Sequence, residues 1–291
     1  MTQRNGSANA PEQMKDNQCF IVFSSSSCRG LISRDKSSPR LLELLQDPNH
    51  AFSSDGCILV KNSWTTSSCI LPLEGTGETS QIFIKRYNYQ SSLYAFKNIF
   101  RRSRAKRTWR IAQHLLSRAI PTPLPVAYLE RRRARVLRES FFITQKVTHA
   151  IPLSMLFLDG QAGGMGEHAA SKKNLIDRTA ALVQMMHERG IWHRDLKAAN
   201  ILVQRAPGKS LQLYLTDLDS IRIKDRVMPA ERVRDLARLN VSLHDVSALS
   251  LRDRLRFLHS YLNIAGTRDK NLRAYWEAIR RETLKKLAKN I

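Results

Sequence analysis

Apolar and polar positions follow two different rhythms along this chain, and the change comes near its middle. "CILVKN", "SCILPL" and "QIFIKRY" are short apolar runs split by polar turns, the second turn carrying Gly75 and Gly77, a pattern that predicts an antiparallel meander. A short helix, "PRLLELLQDP", precedes them. "RSRAKRTWRIAQHLLSRA" places Trp109, Ala112, Leu115, Leu116 and Ala119 at helical spacing, and the prolines of "IPTPLP", which lack an amide donor, end that helix. "LPVAYLE", "ARVLRE" and "SFFITQKV" predict three further strands. Beyond residue 147 the helical period dominates. "IPLSMLFL" predicts a short helix, "DGQAGGMGEH" a flexible loop, and "NLIDRTAALVQMMHERG" a long helix stopped at Gly190. A hairpin follows, "NILVQ" and "LQLYLTD" around Pro207 and Gly208, and then three helical segments from Glu231 to the end.

This order predicts an α+β chain. Residues 1–38, rich in Ser, Asn, Gln and Gly with only "CFIVF" as an apolar patch, read as a mobile tail. Residues 39–147 read as a small β-rich lobe with one main helix, and residues 148–291 as a larger helical lobe.

Composition narrows the setting. The chain has 291 residues, 42% of them hydrophobic, as expected of a folded globular protein. Its net charge of +23 favours polyanions: nucleic acid, an anionic membrane face or phosphorylated substrates. From Lys85 to Arg118 there are ten Lys or Arg and no acid, which points to a polyanion-facing surface; the basic C-terminal helix has acids spaced for i, i+4 pairing and reads as ordinary. The four cysteines fall in the first quarter at spacings that suit neither zinc nor a disulfide framework, so a reducing compartment is expected. No apolar run reaches the roughly 18–20 residues that cross a bilayer, and the start lacks the apolar centre of a signal peptide. The expectation is a cytoplasmic protein.

The chemistry gathers in "IWHRDLKAANILV", on a loop between the long helix and the hairpin. "HRDLKAAN" resembles the protein-kinase catalytic loop at every specified position, and Asp217 of "LTDLDS" lies where the kinase fold places its second metal-binding carboxylate. Phosphoryl transfer leaves a protein mainly positioning and electrostatics to supply. Asp195 would accept the proton of the attacking hydroxyl, and Lys197 would reach toward the moving phosphoryl group. Asn200 and Asp217 offer the oxygen ligands that Mg²⁺ prefers. Asp219 is either a turn residue or an extra ligand. Lys85 ends the strand "IFIK" on the face opposite Ile82 and Ile84, where it would hold the α- and β-phosphates of ATP. Thr144, Gln145, Lys146 and Val147 fall at the lobe junction, where a kinase hinge binds adenine.

Several kinase features are absent. "KNSWTTSS" stands in place of a glycine-rich loop, the helix after Lys85 has no Glu, leaving Gln113 as a neutral substitute, D-L-D replaces D-F-G, and no A-P-E follows. Such departures recur in kinases of sugars and small molecules. The series "ILVKN", "IFIKRYN", "RSRAKRTWR", "AIPTPLPVAYLE", "SFFITQKV", "HRDLKAANILV", "LTDLDSIRI" and "RDLARLNVSL" resembles the lipopolysaccharide kinase (Kdo/WaaP) family, the bacterial Kdo and heptose kinases. That resemblance implies a protein-kinase-like two-lobed fold and ATP- and Mg²⁺-dependent phosphorylation of a sugar hydroxyl. It implies a lipid-linked core oligosaccharide as acceptor, at the anionic cytoplasmic face of the inner membrane. Two other readings stay open: a kinase of the same fold acting on a protein or another small molecule, and a non-catalytic scaffold or nucleic-acid binder. Retention of Asp195, Lys197, Asn200 and Asp217 together weighs against the last.

Overall fold

The computed structural model describes residues 19–73, 80–88, 102–133, 136–158, 169–205, 211–263 and 272–289. The turn at Gly75 and Gly77, the "DGQAGGMGEH" loop and the turn at Pro207 and Gly208 lie outside these residues. The chain divides into two units, residues 1–110 with 124–146, and residues 111–123 with 147–291.

The first unit is built on a seven-stranded antiparallel sheet. Its strands are β1 (Phe20–Ser24), β2 (Arg29–Ser33), β3 (Ile58–Asn62), β4 (Thr66–Leu73), β5 (Ser80–Asn88), β6 (Pro125–Arg133) and β7 (Val136–Gln145), in the order β1-β2-β6-β7-β5-β4-β3. β3, β4 and β5 form the expected meander. "ARVLRE" and "SFFITQKV", expected as two strands, are joined in β7, whose ten residues run unbroken beside β5 and β6.

The expectation of a mobile tail through residue 38 is corrected for residues 19–38. "FIVFS" is β1, paired with β2 around a serine turn in which the Ser25 amide donates to Cys28 O at 2.9 Å, and β2 pairs with β6 some hundred residues later. Serines that suggested disorder are turn formers here. Gly30 makes the β2–β6 approach possible, because a Cβ there would sit 1.8 Å from Tyr128 O. A single turn of local sequence carries no sign of such a distant partner.

Both sheet faces are covered. α1 (Pro39–Gln46) starts at Ser38, whose side chain accepts from the Leu41 amide, with Pro39 in the first turn where its missing donor costs nothing. Leu41 and Leu45 of α1, with Ala51, bury against Ile82, Ile84, Cys69, Phe141 and Ile143. Pleat alternation turns Lys85 to the other face, level with Ser68 of β4 and Phe142 of β7. There α2 (Arg104–Ser117) sets Trp109 against Tyr128 at 5.7 Å and Phe20 at 5.4 Å between ring centroids.

The second unit is mainly helical. β8 (Ala150–Pro152) and α3 (Leu153–Leu158) share the stretch expected as one helix, because β8 is drawn into pairing with β10 (Ile201–Gln204). α4 (Ala169–Glu188), α5 (Pro229–Val241), α6 (Leu251–Asn263) and α7 (Leu272–Leu287) pack as α4 on α6 and α5 on α7. α5 begins two residues before the expected Glu231, which serves as its cap by accepting the Met228 amide at 3.0 Å. Two short sheets sit among them: β8 with β10 (Ile201–Gln204) and β11 (Gln212–Leu215), and β9 (Ile191–Trp192) with β12 (Arg222–Ile223). On α7, Arg273–Glu277 at 3.0 Å and Lys286–Glu282 at 3.3 Å are the expected i, i+4 pairs.

Gly190 ends α4 in the left-handed region, φ +73°, where a Cβ would stand 1.9 Å from Lys224 O. Lys224 N donates to Gly190 O at 2.8 Å, so this approach joins β9 to β12. Gly190→Ala is expected to lower stability by about 2–4 kcal/mol through clash and backbone strain; urea denaturation of wild type and variant checks this, and equal midpoints would refute it.

Candidate active site

Four of the residues singled out in the sequence belong to the second unit and come together there: Asp195, Lys197, Asn200 and Asp217. The hairpin explains how residues seventeen apart meet. β10 and β11 pair Ile201 with Leu215, which sets Asn200 and Thr216 side by side, and the Thr216 amide donates to Asn200 O at 2.9 Å. Asp217 is the next residue, exposed, with φ +53°, a left-handed conformation that Asp adopts more readily than most residues. Asp219 lies in the 3₁₀ turn that follows, Leu218–Ser220. Asn200 donates its side-chain amide to Asp195 O at 2.9 Å, which ties the far end of the loop to its centre.

The loop is anchored from beneath by a residue that the sequence reading did not single out. Asp235, on α5 and fully buried, accepts the His193 amide on Oδ2 and the Arg194 amide on Oδ1, both at 2.9 Å. His187, at the end of α4, places Nε2 3.4 Å from Asp235 Oδ2 and Nδ1 2.8 Å from the Tyr261 hydroxyl of α6. With Nε2–H donating to the carboxylate, Nδ1 is left to accept from the tyrosine, so one neutral tautomer serves both partners. Arg194 is held at φ +68°, a sparsely populated region for a residue other than glycine, and its two-point anchor maintains that conformation. Above, His193 Nε2 lies 3.2 Å from Thr216 O, Ser220 Oγ donates to His193 O at 2.7 Å, and the Ala198 amide donates to Ser242 Oγ at 2.9 Å. Asp235 was legible only as an acid on the apolar stripe of "RDLARL", flanked by buried Leu236, Ala237 and Leu239.

The Asp195 carboxylate is part-exposed and touched by two cations. Lys197 Nζ is 3.2 Å from Oδ1, and Arg238 of α5, also missed in the sequence, places Nη1 3.3 Å from the same oxygen. Both contacts fall on Oδ1; Oδ2 has no partner among the described residues.

Of the remaining candidates, Lys85, Thr144, Gln145 and Lys146 belong to the first unit and Val147 to the second. Lys85 is half-buried, with Nζ 5.4 Å from the Tyr87 ring centroid. At the end of β7, the Gln145 amide donates to Leu124 O and the Lys146 amide to Gln81 O, each at 2.8 Å, and Lys146 Nζ reaches Gln81 Oε1 at 2.5 Å. Those two amides are already committed within the unit. Gln113 belongs to the second unit. Part of the basic run is also used internally: Arg104 lies over the Tyr87 ring at 4.6 Å, Arg86 over Phe52 at 4.6 Å, and Arg118 donates to Arg189 O. Among the described residues, no cluster of three or more His, Cys, Asp or Glu is present, and no helix is long and apolar enough to cross a membrane. The four cysteines are free thiols.

The model of the lipopolysaccharide kinase (Kdo/WaaP) family matches residues 75–261, which include this whole site. The chain belongs to this family. Among curated proteins it is 28% identical over 160 residues to the lipopolysaccharide core heptose(I) kinase WaaP of Pseudomonas aeruginosa, covering 54% of this chain and 59% of the relative. It is 28% identical over 145 residues to the 3-deoxy-D-manno-octulosonic acid kinase of Xylella fastidiosa, covering 49% and 51%. The chain thus spans a little over half the length of these relatives. A solved structure, WaaP in complex with acyl carrier protein, superposes with a TM-score of 0.59 at 23% identity, covering 86% of this chain and 97% of that one, and shows a shared kinase-like fold.

Two predictions arise from the buried network. Asp235→Ala orphans two buried backbone amides and an imidazole, and is expected to cost about 2–4 kcal/mol; calorimetric melting checks it, and an unchanged midpoint would show that the loop stands without its anchor. Burial lowers the pKa of both His187 and His193 below the usual 6.5, against the opposing pull of Asp235. The unfolded chain therefore takes up protons near pH 6.5 that the folded chain refuses. Stability is complete above that pH and falls as pH drops below it. Denaturant titrations from pH 7.5 to 5 are expected to show this decline, and a flat profile would contradict it.

Proposed function

We propose that this chain transfers the γ-phosphate of ATP to a sugar hydroxyl of the lipopolysaccharide inner core, on heptose or Kdo. The observation that carries the proposal is the carboxylate of Asp195, presented on a loop fixed by Asp235 and bound on one oxygen only, beside Asn200 and Asp217. Family membership and the named activities of the relatives support it.

Asp195 Oδ2 is the atom placed to accept the acceptor hydroxyl's proton as the oxygen attacks phosphorus. Lys197, 50% exposed, can swing from Oδ1 toward the transferring phosphoryl group, and Lys85 would hold the α- and β-phosphates. The donor set fits Mg²⁺: the Asn200 amide nitrogen is spent on Asp195 O, which leaves its oxygen for a hard cation, and Asp217 adds a carboxylate one residue beyond Thr216. When bound, Mg²⁺ would neutralise phosphate charge as the leaving group departs. At the hinge stretch Thr144–Val147, adenine would meet carbonyl groups and the Val147 amide, because the amides of Gln145 and Lys146 are engaged elsewhere.

Action at the inner face of the inner membrane accords with a net charge of +23, each Lys or Arg near an anionic surface contributing about 1 kcal/mol. The same charge suits an acidic protein partner, and acyl carrier protein, the partner in the solved WaaP complex, is a candidate.

Purified protein incubated with ATP, Mg²⁺ and dephosphorylated core lipid is expected to add one phosphate to a core sugar, detected by mass spectrometry. Asp195→Asn is expected to reduce the turnover rate by about 10²–10⁴-fold with little change in melting temperature. An Asp195→Asn variant as fast as wild type would remove Asp195 from the chemistry.

A further inference from the structure

Arg238 is not needed to hold the catalytic loop. The His193 and Arg194 amides are held by Asp235, Ala198 by Ser242, and Asn200 by Asp195 O and Lys197 O. The Arg238 side chain makes none of these bonds. It reaches Asp195 alone, through a single bond of Nη1 to Oδ1 at 3.3 Å, long for a contact between ionised groups, and its side chain is 38% exposed. A guanidinium carries five N–H donors in a planar fork, and no other partner of the Arg238 guanidinium is found among the described residues. The same carboxylate oxygen is already contacted by Lys197 at 3.2 Å. A second cation is thus redundant as a partner for that oxygen, and the other N–H donors of Arg238 stand beside Asp195 without a partner among the described residues. Those donors lie within one side-chain length of Asp195, where the reacting hydroxyl would arrive.

We infer that Arg238 is an acceptor-selecting residue: its outer N–H edge binds an anionic substituent, carboxylate or phosphate, on the sugar being phosphorylated or on its neighbour. Its inner N–H stays on Asp195 Oδ1. One planar group then fixes the distance between the acceptor's anion and Asp195 Oδ2, where the hydroxyl must arrive, so that binding the anion orients the nucleophile. The inference rests on the core-sugar kinase reading above. It deepens that reading by naming what distinguishes a core sugar from a neutral one at the base.

The test is steady-state kinetics with the full chain, ATP·Mg²⁺ and detergent-dispersed core lipid. Arg238→Gln is expected to raise the acceptor KM about ten- to hundredfold, the range for losing a charge-assisted pair, while the KM for ATP stays within twofold. Arg238→Lys, which keeps the charge without the fork, is expected to recover part of that loss. Arg234→Gln, one helical turn earlier, removes the same charge without touching Asp195 and is expected to leave the acceptor KM within twofold. Two altered acceptors separate the sources of the anion: core lipid stripped of its phosphates and core lipid with its carboxyl groups reduced. Wild type and Arg238→Gln are expected to converge on the acceptor that lacks the group Arg238 binds. Convergence on neither overturns the inference, as does a fall in kcat at constant acceptor KM, which would make Arg238 only a prop for Asp195. An equal rise in KM for Arg234→Gln also overturns it, reducing the effect to general charge. These outcomes require an active wild type; a wild type inert toward every core lipid would overturn the kinase proposal itself, and with it this inference.

Discussion

One buried carboxylate governs the arrangement of the second unit. Asp235 has no exposed surface, and a charge in that position is tolerable only if its oxygens are occupied by donors. The donors are the amides of His193 and Arg194 and the imidazole of His187. Satisfying the carboxylate therefore fixes the backbone of the loop that carries Asp195, and fixes Arg194 in a left-handed conformation it would not adopt alone. His187 extends the same network to Tyr261 on α6. Three helices, α4, α5 and α6, are thereby locked to one loop, and the geometry of a solvent-facing carboxylate is set by an interaction that solvent never reaches.

The first unit solves a different problem, that of covering both faces of an antiparallel sheet. Strands of such a sheet expose one face unless another layer is supplied. Here α1 and the segment around Ala51 cover one face, and α2 with Trp109 the other. Lys85 lies on the α2 side because Ile82 and Ile84 must lie on the α1 side; the period of the strand leaves no other choice. Aromatic rings take up cations along that side, Tyr87 receiving Arg104 and Tyr128 receiving Lys106. An uninterrupted run of basic residues is consequently less of a free surface than its charge suggests, since guanidinium and ammonium groups bind ring faces as well as anions.

The octet His193–Asn200 was legible in the sequence because it matches a short motif at every specified position, and Asp217 because the hairpin returns the chain to the same place. The meander, the long helices and the i, i+4 pairs of α7 were legible for a similar reason: periodicity and spacing are local properties. What determined β1 and β2 was a partner strand far along the chain, and what divided "IPLSMLFL" into strand and helix was the edge of β10. Asp235 and Arg238 looked like the polar residues of any amphipathic helix. Their meaning depends on which loop α5 is packed against.

The sequence by itself determined the chemical inventory: two carboxylates, a lysine and an amide at kinase spacing, on a chain with a net charge of +23. Only the tertiary structure decided which atoms of that inventory are free to act. It showed that the amides of Gln145 and Lys146 are bonded within the first unit, that Lys197 and Arg238 share Oδ1 of Asp195, and that Asp235 bears the loop. The physical reason is that residue types are encoded one position at a time, whereas hydrogen-bond commitments are made between atoms that come together only after the chain has folded.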